Sequence, residues 1–458
     1  MQFHTWIFLP FFLIAYSIFL VARKSRFRNL WIVIASYVFY GWWSPLYLVL
    51  IAYSTIIDYV VLALMERSRR KKVWAAVSIA NSLLLLGFFK YGIFVTENLN
   101  WLLSRIGNPY NLAMPGFLLP VGLSFYVFKS IGYVIDCYRG NVERERSFIR
   151  HAAFVSFFPI LVAGPIERAA NLLPQFRRTP NITGQDIADG LSLFIIGLFK
   201  KLALADALAL YVNKVYAMPQ QFHSPALILA TFAFAWQIYF DFSGYSDMAR
   251  GLAQAMGFRI MLNFNHPYLA TGIGDFWRRW HISLSTWFRD YLYIPLGGNR
   301  KGKFDTYRNL FITMVVSGLW HGAAWTFVIW GAFHAFGMML TRELERSTFY
   351  NERFPKLAKQ VLVFAFVTFA WIFFRAESLD SACLIIGRIF TSGSSNPGFP
   401  LLFGILIAAV WLYQFACESR VRWVVEPAPF RIAAITLMIF YLMVFAGSAG
   451  QPFIYNQF

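Results

Sequence analysis

Apolar runs long enough to cross a bilayer recur along the whole chain, separated by short charged stretches. The first covers Thr5 to Ala22 and ends at the basic cluster Arg23, Lys24, Arg26 and Arg28. The next, Leu30 to Met65, is long enough to cross twice. Its midpoint carries GWWSP, where Gly41 and Pro45 break a helix and Trp42 and Trp43 suit an interface. A second basic cluster, Arg67, Arg69, Arg70, Lys71 and Lys72, follows. With both clusters on the cytoplasmic side, the N-terminus lies outside. Val73 to about Val95 then exits, and the polar stretch to Pro115 forms an external loop. Gly116 to Tyr138 returns, and Arg139 to His151 is a third basic, cytoplasmic loop.

Phe157 to Arg168 (FFPILVAGPIER) is apolar but short, and Pro159, Gly164 and Pro165 interrupt it. It reads as re-entrant or interfacial backbone, tolerated at depth only where protein or a cavity covers it. Asp189–Val212, Pro225–Phe242, Phe311–Leu340, Leu357–Phe374, Leu401–Cys417 and Ile432–Phe445 supply further helices. Phe311–Leu340 is either one long tilted helix or a broken pair. The expectation is an all-α polytopic membrane protein with roughly eleven crossings by the ~20-residue spanning criterion. Residues 1–458 form one membrane domain without internal repeats.

Composition agrees: 58% of residues are hydrophobic, 14% are charged and mean hydropathy is +0.53, more apolar surface than a soluble chain could bury. The net charge of +19 would suggest nucleic acid in a soluble protein. In a membrane protein it is explained by basic cytoplasmic loops, some of which can also attract a phosphate-bearing substrate. Cys137, Cys383 and Cys417 stand apart, without the spacing of a metal site or a disulfide framework. The first apolar run lacks a basic segment before it and a cleavage site after it, so it reads as a retained helix.

The most unusual composition lies between Asp275 and His334. It begins DFWRRWHISLSTWFRDYLYIPLGGNRKGK and ends SGLWHGAAWTFVIWGAFH. His321 is flanked on both sides by membrane-length apolar sequence, where an ionisable group faces a cavity or a partner. On a continuous helix, Ser317, His321 and Trp325 share one face. Histidine is suited to take a hydroxyl proton near neutral pH. Gly318 and Gly322 form a GxxxG pair, which reads as close helix packing. His334 lies thirteen residues on, turned away from the His321 face of a continuous helix, and reads as structural.

His281 sits among Arg278, Arg279, Arg289, Asp290 and a run of Trp and Tyr. Either the segment is an amphipathic helix in the interface, or it forms a cytoplasmic funnel whose arginines bind phosphate oxygens. Elsewhere Lys90, Asp136, Glu167, Lys200, Lys201, Gln237, Asp241 and Asp247 are embedded in apolar sequence. The richest cluster, Gln237 to Gly251, either lines a polar cavity with Tyr239, Ser243 and Tyr245 or pairs with those lysines. No metal site, phosphate loop or serine-hydrolase elbow is present, and GGNRKG (Gly297–Gly302) is a generic basic turn.

On these residues the chain resembles the membrane-bound O-acyltransferase family, in its AlgI-like branch of bacterial polysaccharide O-acetylation. FWRRWHISLSTWFRDYLYIPLGGNR and GLWHGAAWTFVIWGAFH match the family's two histidine-bearing signatures. FFPILVAGPIER, FKKLALAD, YFDFSGYSDMA and NFNHPY follow in its order and spacing. The resemblance implies a ring of tilted helices around a central tunnel in the bacterial inner membrane. It implies His321 as the essential histidine near the tunnel centre, with His281 toward the cytosol as the second catalytic position. Ser317, Trp320, Trp325, Asp241 and Tyr239 would line the passage, and Arg278, Arg279, Lys301 and Lys303 would hold the donor's phosphates. The donor would be acetyl-CoA, with no bound cofactor and no metal. The acyl group would pass outward to a periplasmic SGNH-type acetyltransferase working with a polysaccharide synthase and export complex. The polymer would be alginate or acetylated cellulose. Beyond the surrounding membrane lipid, no nucleic acid partner is implied.

One departure is the tail, FIYNQF, where Asn456 interrupts an aromatic run usual in this branch. D-alanyl transfer to teichoic acid is a sister reading. A transporter, or a scaffold that only recruits the periplasmic enzyme, is a reading of another class. Under the scaffold reading His321 would be replaceable.

Overall fold

A computed structural model describes residues 1–116, 120–394, 397–425, 427–445 and 453–454. Among the described residues the protein is all-α, and six helices are long and apolar enough to cross a membrane by length and composition. The chain divides into two compact units. One comprises Met1–Gly190 with Ala249–Met261, the other Leu191–Met248 with Leu262–Phe458.

In the first unit the Leu30–Met65 run is two helices, Arg28–Gly41 and Pro45–Arg67. Extended backbone at Ser44 separates them, and Pro45 takes the first helical turn, where its missing N–H costs nothing. The next span is one apolar stretch, Lys71–Arg105, which passes through a π-helical turn at Gly87–Tyr91. Leu123–Arg139 follows. The second and third basic loops meet at one end of this unit. Glu66 accepts from Arg144 at 2.9 Å and from Arg146 at 3.1 Å. Charge patterning placed the two loops on one side, and these ion pairs join them.

Phe157–Glu167 is buried throughout and, apart from a short 3₁₀ turn at Phe158–Ile160, is not helical. Its backbone needs borrowed partners. Phe158 N–H donates to Ser36 Oγ at 3.1 Å, and Met261 N–H donates to Glu167. The helix before it, Phe148–Ser156, ends on a buried lysine: Lys129 Nζ donates to the carbonyls of Phe154 at 2.6 Å and Val155 at 3.1 Å. A cation at a helix C-terminus answers both the orphan carbonyls and the dipole.

Most of the helix Ser224–Ala255 belongs to the second unit. The embedded charges resolve as ion pairs. Lys200 meets Asp247 at 2.7 Å, while Lys201 bridges Asp206 at 2.8 Å and Asp241 at 2.9 Å. Buried charge is kept only where it is matched in this way. Asp241 also accepts from the N–H of Ile454 at 2.7 Å, and Phe453 packs on Phe242 and Tyr245. Asn456 lies outside the described residues.

Phe311–Leu340 proves to be the broken pair. One helix, Lys303–His321, ends at the histidine, and Gly322 and Ala324 are extended. A second, Trp325–Leu344, turns back along the first. A Cβ on Gly318 would lie 2.2 Å from the Phe327 carbonyl oxygen, and one on Gly331 would lie 2.4 Å from that of Met314. The hairpin is therefore packed backbone to backbone, as small residues allow in membrane helices. Gly322 belongs to the break instead, facing the Phe327 ring.

Gly318→Ala should force the two helices apart and cost about 1–3 kcal/mol or more, as overpacking does. Gly387→Ala, where nothing lies within 4 Å, should be neutral or mildly stabilising. Thermal unfolding of the two variants in one detergent checks the contrast; equal melting temperatures would refute the close-packing account.

Candidate functional site

Three histidines in the second unit share one aromatic cluster, and chain breaks put them there. His321 is the last residue of its helix and is 2% exposed. Its ring lies 4.9 Å from Trp320, 5.1 Å from Trp330 and 5.3 Å from Phe374, each contact edge-on. Trp330 comes from the returning helix and Phe374 from Lys356–Arg375. Ser317 is buried one turn before the histidine.

His281 reaches the same cluster from another direction. The Trp- and Arg-rich signature is not one amphipathic helix. It forms two short helices, Ile273–Arg279 and Ile282–Phe288, with His281 between them at φ 43° and ψ 54°. This left-handed backbone turns the chain, and the side chain is fully buried. The structure thus replaces the interfacial-helix reading at this position with an interior one. Phe242 meets the imidazole at 4.6 Å and Trp320 at 6.0 Å. Trp320 therefore contacts both the His281 and His321 rings.

The His281 ring is oriented by Asn263. Its Nδ1 lies 3.1 Å from Asn263 Oδ1, an atom that only accepts, so Nδ1 carries the proton. The same oxygen accepts from Ser283 Oγ at 2.9 Å, and Asn263 Nδ2 donates to Ser246 Oγ at 3.2 Å. Two backbone bonds hold this pairing, Ile282 N–H to the Asn263 carbonyl and Asn265 N–H to that of Arg279, each 2.9 Å. The unprotonated Nε2 has no hydrogen-bond partner among the described residues. A neutral imidazole with its tautomer fixed and its second nitrogen unengaged can accept a proton from a hydroxyl.

His334 belongs to the cluster as well, because the helix that would have turned it away is interrupted. It lies 4.8 Å from Trp330 and 5.1 Å from Trp277. Trp330 thus stands between His334 and His321. Neither nitrogen of His334 has a hydrogen-bond partner among the described residues.

The remaining sequence candidates are dispersed. Trp325 lies across the break, is 53% exposed and does not share the His321 face. Tyr239 sits at the rim of the cluster, 6.3 Å from Trp280, and its hydroxyl accepts from Gln414 at 3.1 Å. Asp241 is engaged by Lys201 and Ile454, as described above. Arg278 is 72% exposed, with Asp275 at 3.5 Å. Arg279 is held by Asp275 at 3.1 Å and by Glu418. Lys303 pairs with Glu343 at 2.8 Å, and Lys301 is exposed in the basic turn.

Sequence reasoning did not single out Asn263, Ser283, Trp330 or Phe374. Asn263 does lie in NFNHPY, which the sequence offered as a stretch in the family's order and spacing, without a role for the asparagine.

Comparison with known proteins identifies related chains. The sequence profile of the membrane-bound O-acyltransferase (MBOAT) family matches residues 142–383. A probable alginate O-acetylase AlgI of Pseudomonas putida is 44% identical over 392 residues, covering 84% of this chain and 79% of the relative. A peptidoglycan O-acetyltransferase of Helicobacter pylori is 36% identical over 420 residues, covering 85% and 79%. A teichoic acid D-alanyltransferase of Bacillus subtilis is 28% identical over 317 residues, covering 64% and 78%.

Asn263→Ala would leave the buried His281 Nδ1–H and Ser283 hydroxyl without their acceptor. The expected loss is about 1–3 kcal/mol of stability. Combining it with Ser283→Ala should cost less than the two changes separately. Thermal unfolding of the two single variants and the double variant measures both; strict additivity would dissolve the proposed network.

Proposed function

This chain belongs to the membrane-bound O-acyltransferase family, and from that premise we propose that it moves an acetyl group from cytosolic acetyl-CoA for O-acetylation of an exported polysaccharide. It is a multi-pass membrane O-acyltransferase of the polysaccharide-acetylating kind. The observation that carries the mechanism is the convergence of His281 and His321 on Trp320 inside an otherwise apolar aromatic cluster.

His321 is the base. It takes the proton of the attacking hydroxyl as that oxygen bonds to the thioester carbonyl carbon, and collapse of the intermediate breaks the C–S bond. The imidazolium then returns the proton to the departing thiolate, leaving coenzyme A and an O-acyl ester. General base catalysis of this kind contributes about 10²–10⁴-fold. The oxyanion needs a donor nearby, and the Ser317 hydroxyl, one turn from His321, is our candidate. His281, with its tautomer set by Asn263, is the second proton-handling group. Arg278 and Arg279, with Lys301 and Lys303, attract the phosphates of the donor, and exposed Arg278 is the one we expect to matter most. Tyr239, Asp241 and Trp320 belong to the passage taken by the acyl group.

The setting we propose is the bacterial inner membrane, with a periplasmic SGNH-type acetyltransferase completing transfer to the polymer alongside a synthase and export complex. The greater identity to the alginate O-acetylase than to the teichoic acid D-alanyltransferase supports an acetyl group and an alginate-type acceptor, with cellulose as the other polymer we propose.

In liposomes with labelled acetyl-CoA, the wild type should release coenzyme A and transfer label, and His321→Ala should lose about 10²–10⁴-fold of that rate while keeping its fold. A folded variant with the wild-type rate would hand the role to a scaffold. Arg278→Ala should raise the KM for acetyl-CoA with little change in kcat, because it acts on the donor away from the reacting carbonyl. An unchanged KM would remove it from donor binding.

A further inference from the structure

In the first unit, where the Pro45–Arg67 and Leu123–Arg139 helices end, side chains line a cavity of about 630 Å³ that is open on one side. Arg144, Arg146, Arg150, Arg177 and Lys71 line it, against the carboxylates of Glu66, Glu143 and Glu145. Five cations meet three anions, so two positive charges are in surplus.

Two of the three carboxylates are already committed. Glu66 is shared by Arg144 and Arg146, as described above. Glu145 is shared by Arg150 at 2.9 Å and Arg177 at 2.8 Å. Burial works against the Glu145 charge, but hydrogen bonds from Arg150, Ser147 and Arg177 outweigh it and hold its pKa below the usual range. The acids thus fix the guanidiniums without exhausting them. Arg144 Nη1 and Arg150 Nε are buried and have no acceptor among the described residues. Buried N–H groups of a cation are costly to leave unmatched.

We propose that this cavity binds a phosphate-bearing ligand. Guanidinium forks match phosphate oxygens in pairs, and a phosphate brings the acceptors and the negative charge that the site lacks. The cavity is larger than the phosphate group alone requires, leaving room for what the phosphate is attached to. Leu62 and Met65, from a helix long enough to span the bilayer, form an apolar part of the wall. A membrane-end cavity with that wall favours the headgroup of an anionic phospholipid over a soluble phosphate compound. None of its residues belongs to the histidine cluster.

The test uses the full chain in detergent and reads binding by thermal shift and by titration. The probes are dihexanoyl phosphatidylglycerol, dihexanoyl phosphatidylcholine and inorganic pyrophosphate. Lys71→Glu combined with Arg146→Glu changes two exposed side chains and leaves the buried Glu145 pairs intact. Phosphatidylglycerol should bind the wild type and lose about tenfold or more in affinity to the double variant, while phosphatidylcholine binds weakly to both. Arg144→Gln, which keeps the polar volume, should weaken binding in the same sense. If only pyrophosphate binds, and the variants weaken it, the source is a soluble phosphate and the site stands. The proposal is overturned if the wild type binds neither phosphate probe, if the variants bind them undiminished, or if phosphatidylcholine binds as tightly as phosphatidylglycerol. Because the readout is binding without turnover, its failure is separable from failure of the acyl-transfer reading.

Discussion

Helices in a membrane gain little by hiding apolar surface from lipid, so what brings two of them together is how closely they fit. In the second unit the fit is closest between Lys303–His321 and Trp325–Leu344. There Gly318 and Gly331 present bare backbone to the opposite carbonyls. This approach carries Trp330 to the end of the first helix, where His321 lies. A methyl group on either glycine would push the two away from each other. The geometry around His321 therefore depends on residues without side chains.

A second constraint acts on every polar group in this apolar matrix: each has to be matched or shielded. Lys129 satisfies the end of one helix, and Lys201 divides itself between two aspartates. Asn263 gathers His281 and Ser283 on one oxygen. The histidine cluster differs in kind. There the imidazoles of His281, His321 and His334 meet aromatic rings edge-on.

Much of this could be read from the chain because the signals are local. Gly41 to Pro45 marks a helix break by its own chemistry, and the basic clusters mark one end of the spans before any contact is known. The embedded lysines and aspartates demanded partners, although which paired with which depends on how separate helices cross. The fate of Gly322 to Ala324 was open, because small apolar residues suit a helix and a turn alike. Reading through it as helix separated His334 from His321 and joined Trp325 to it, the reverse of the structure. Asn263 was hidden for another reason. Its partner lies beyond a 3₁₀ turn and a short helix, and no periodicity reports such a contact.

The backbone of His281 bears on how its chemistry can be dissected. A left-handed conformation is strained for residues with a Cβ, by roughly 1–2 kcal/mol, and asparagine and histidine tolerate it better than alanine does. Replacing His281 by alanine would therefore remove the imidazole and disturb the turn at once, and lost activity would have two explanations. Asparagine keeps the preference for this turn and a polar group near the Asn263 carboxamide while discarding the basic nitrogen. At this position the informative control for chemistry is the substitution that preserves the shape of the chain.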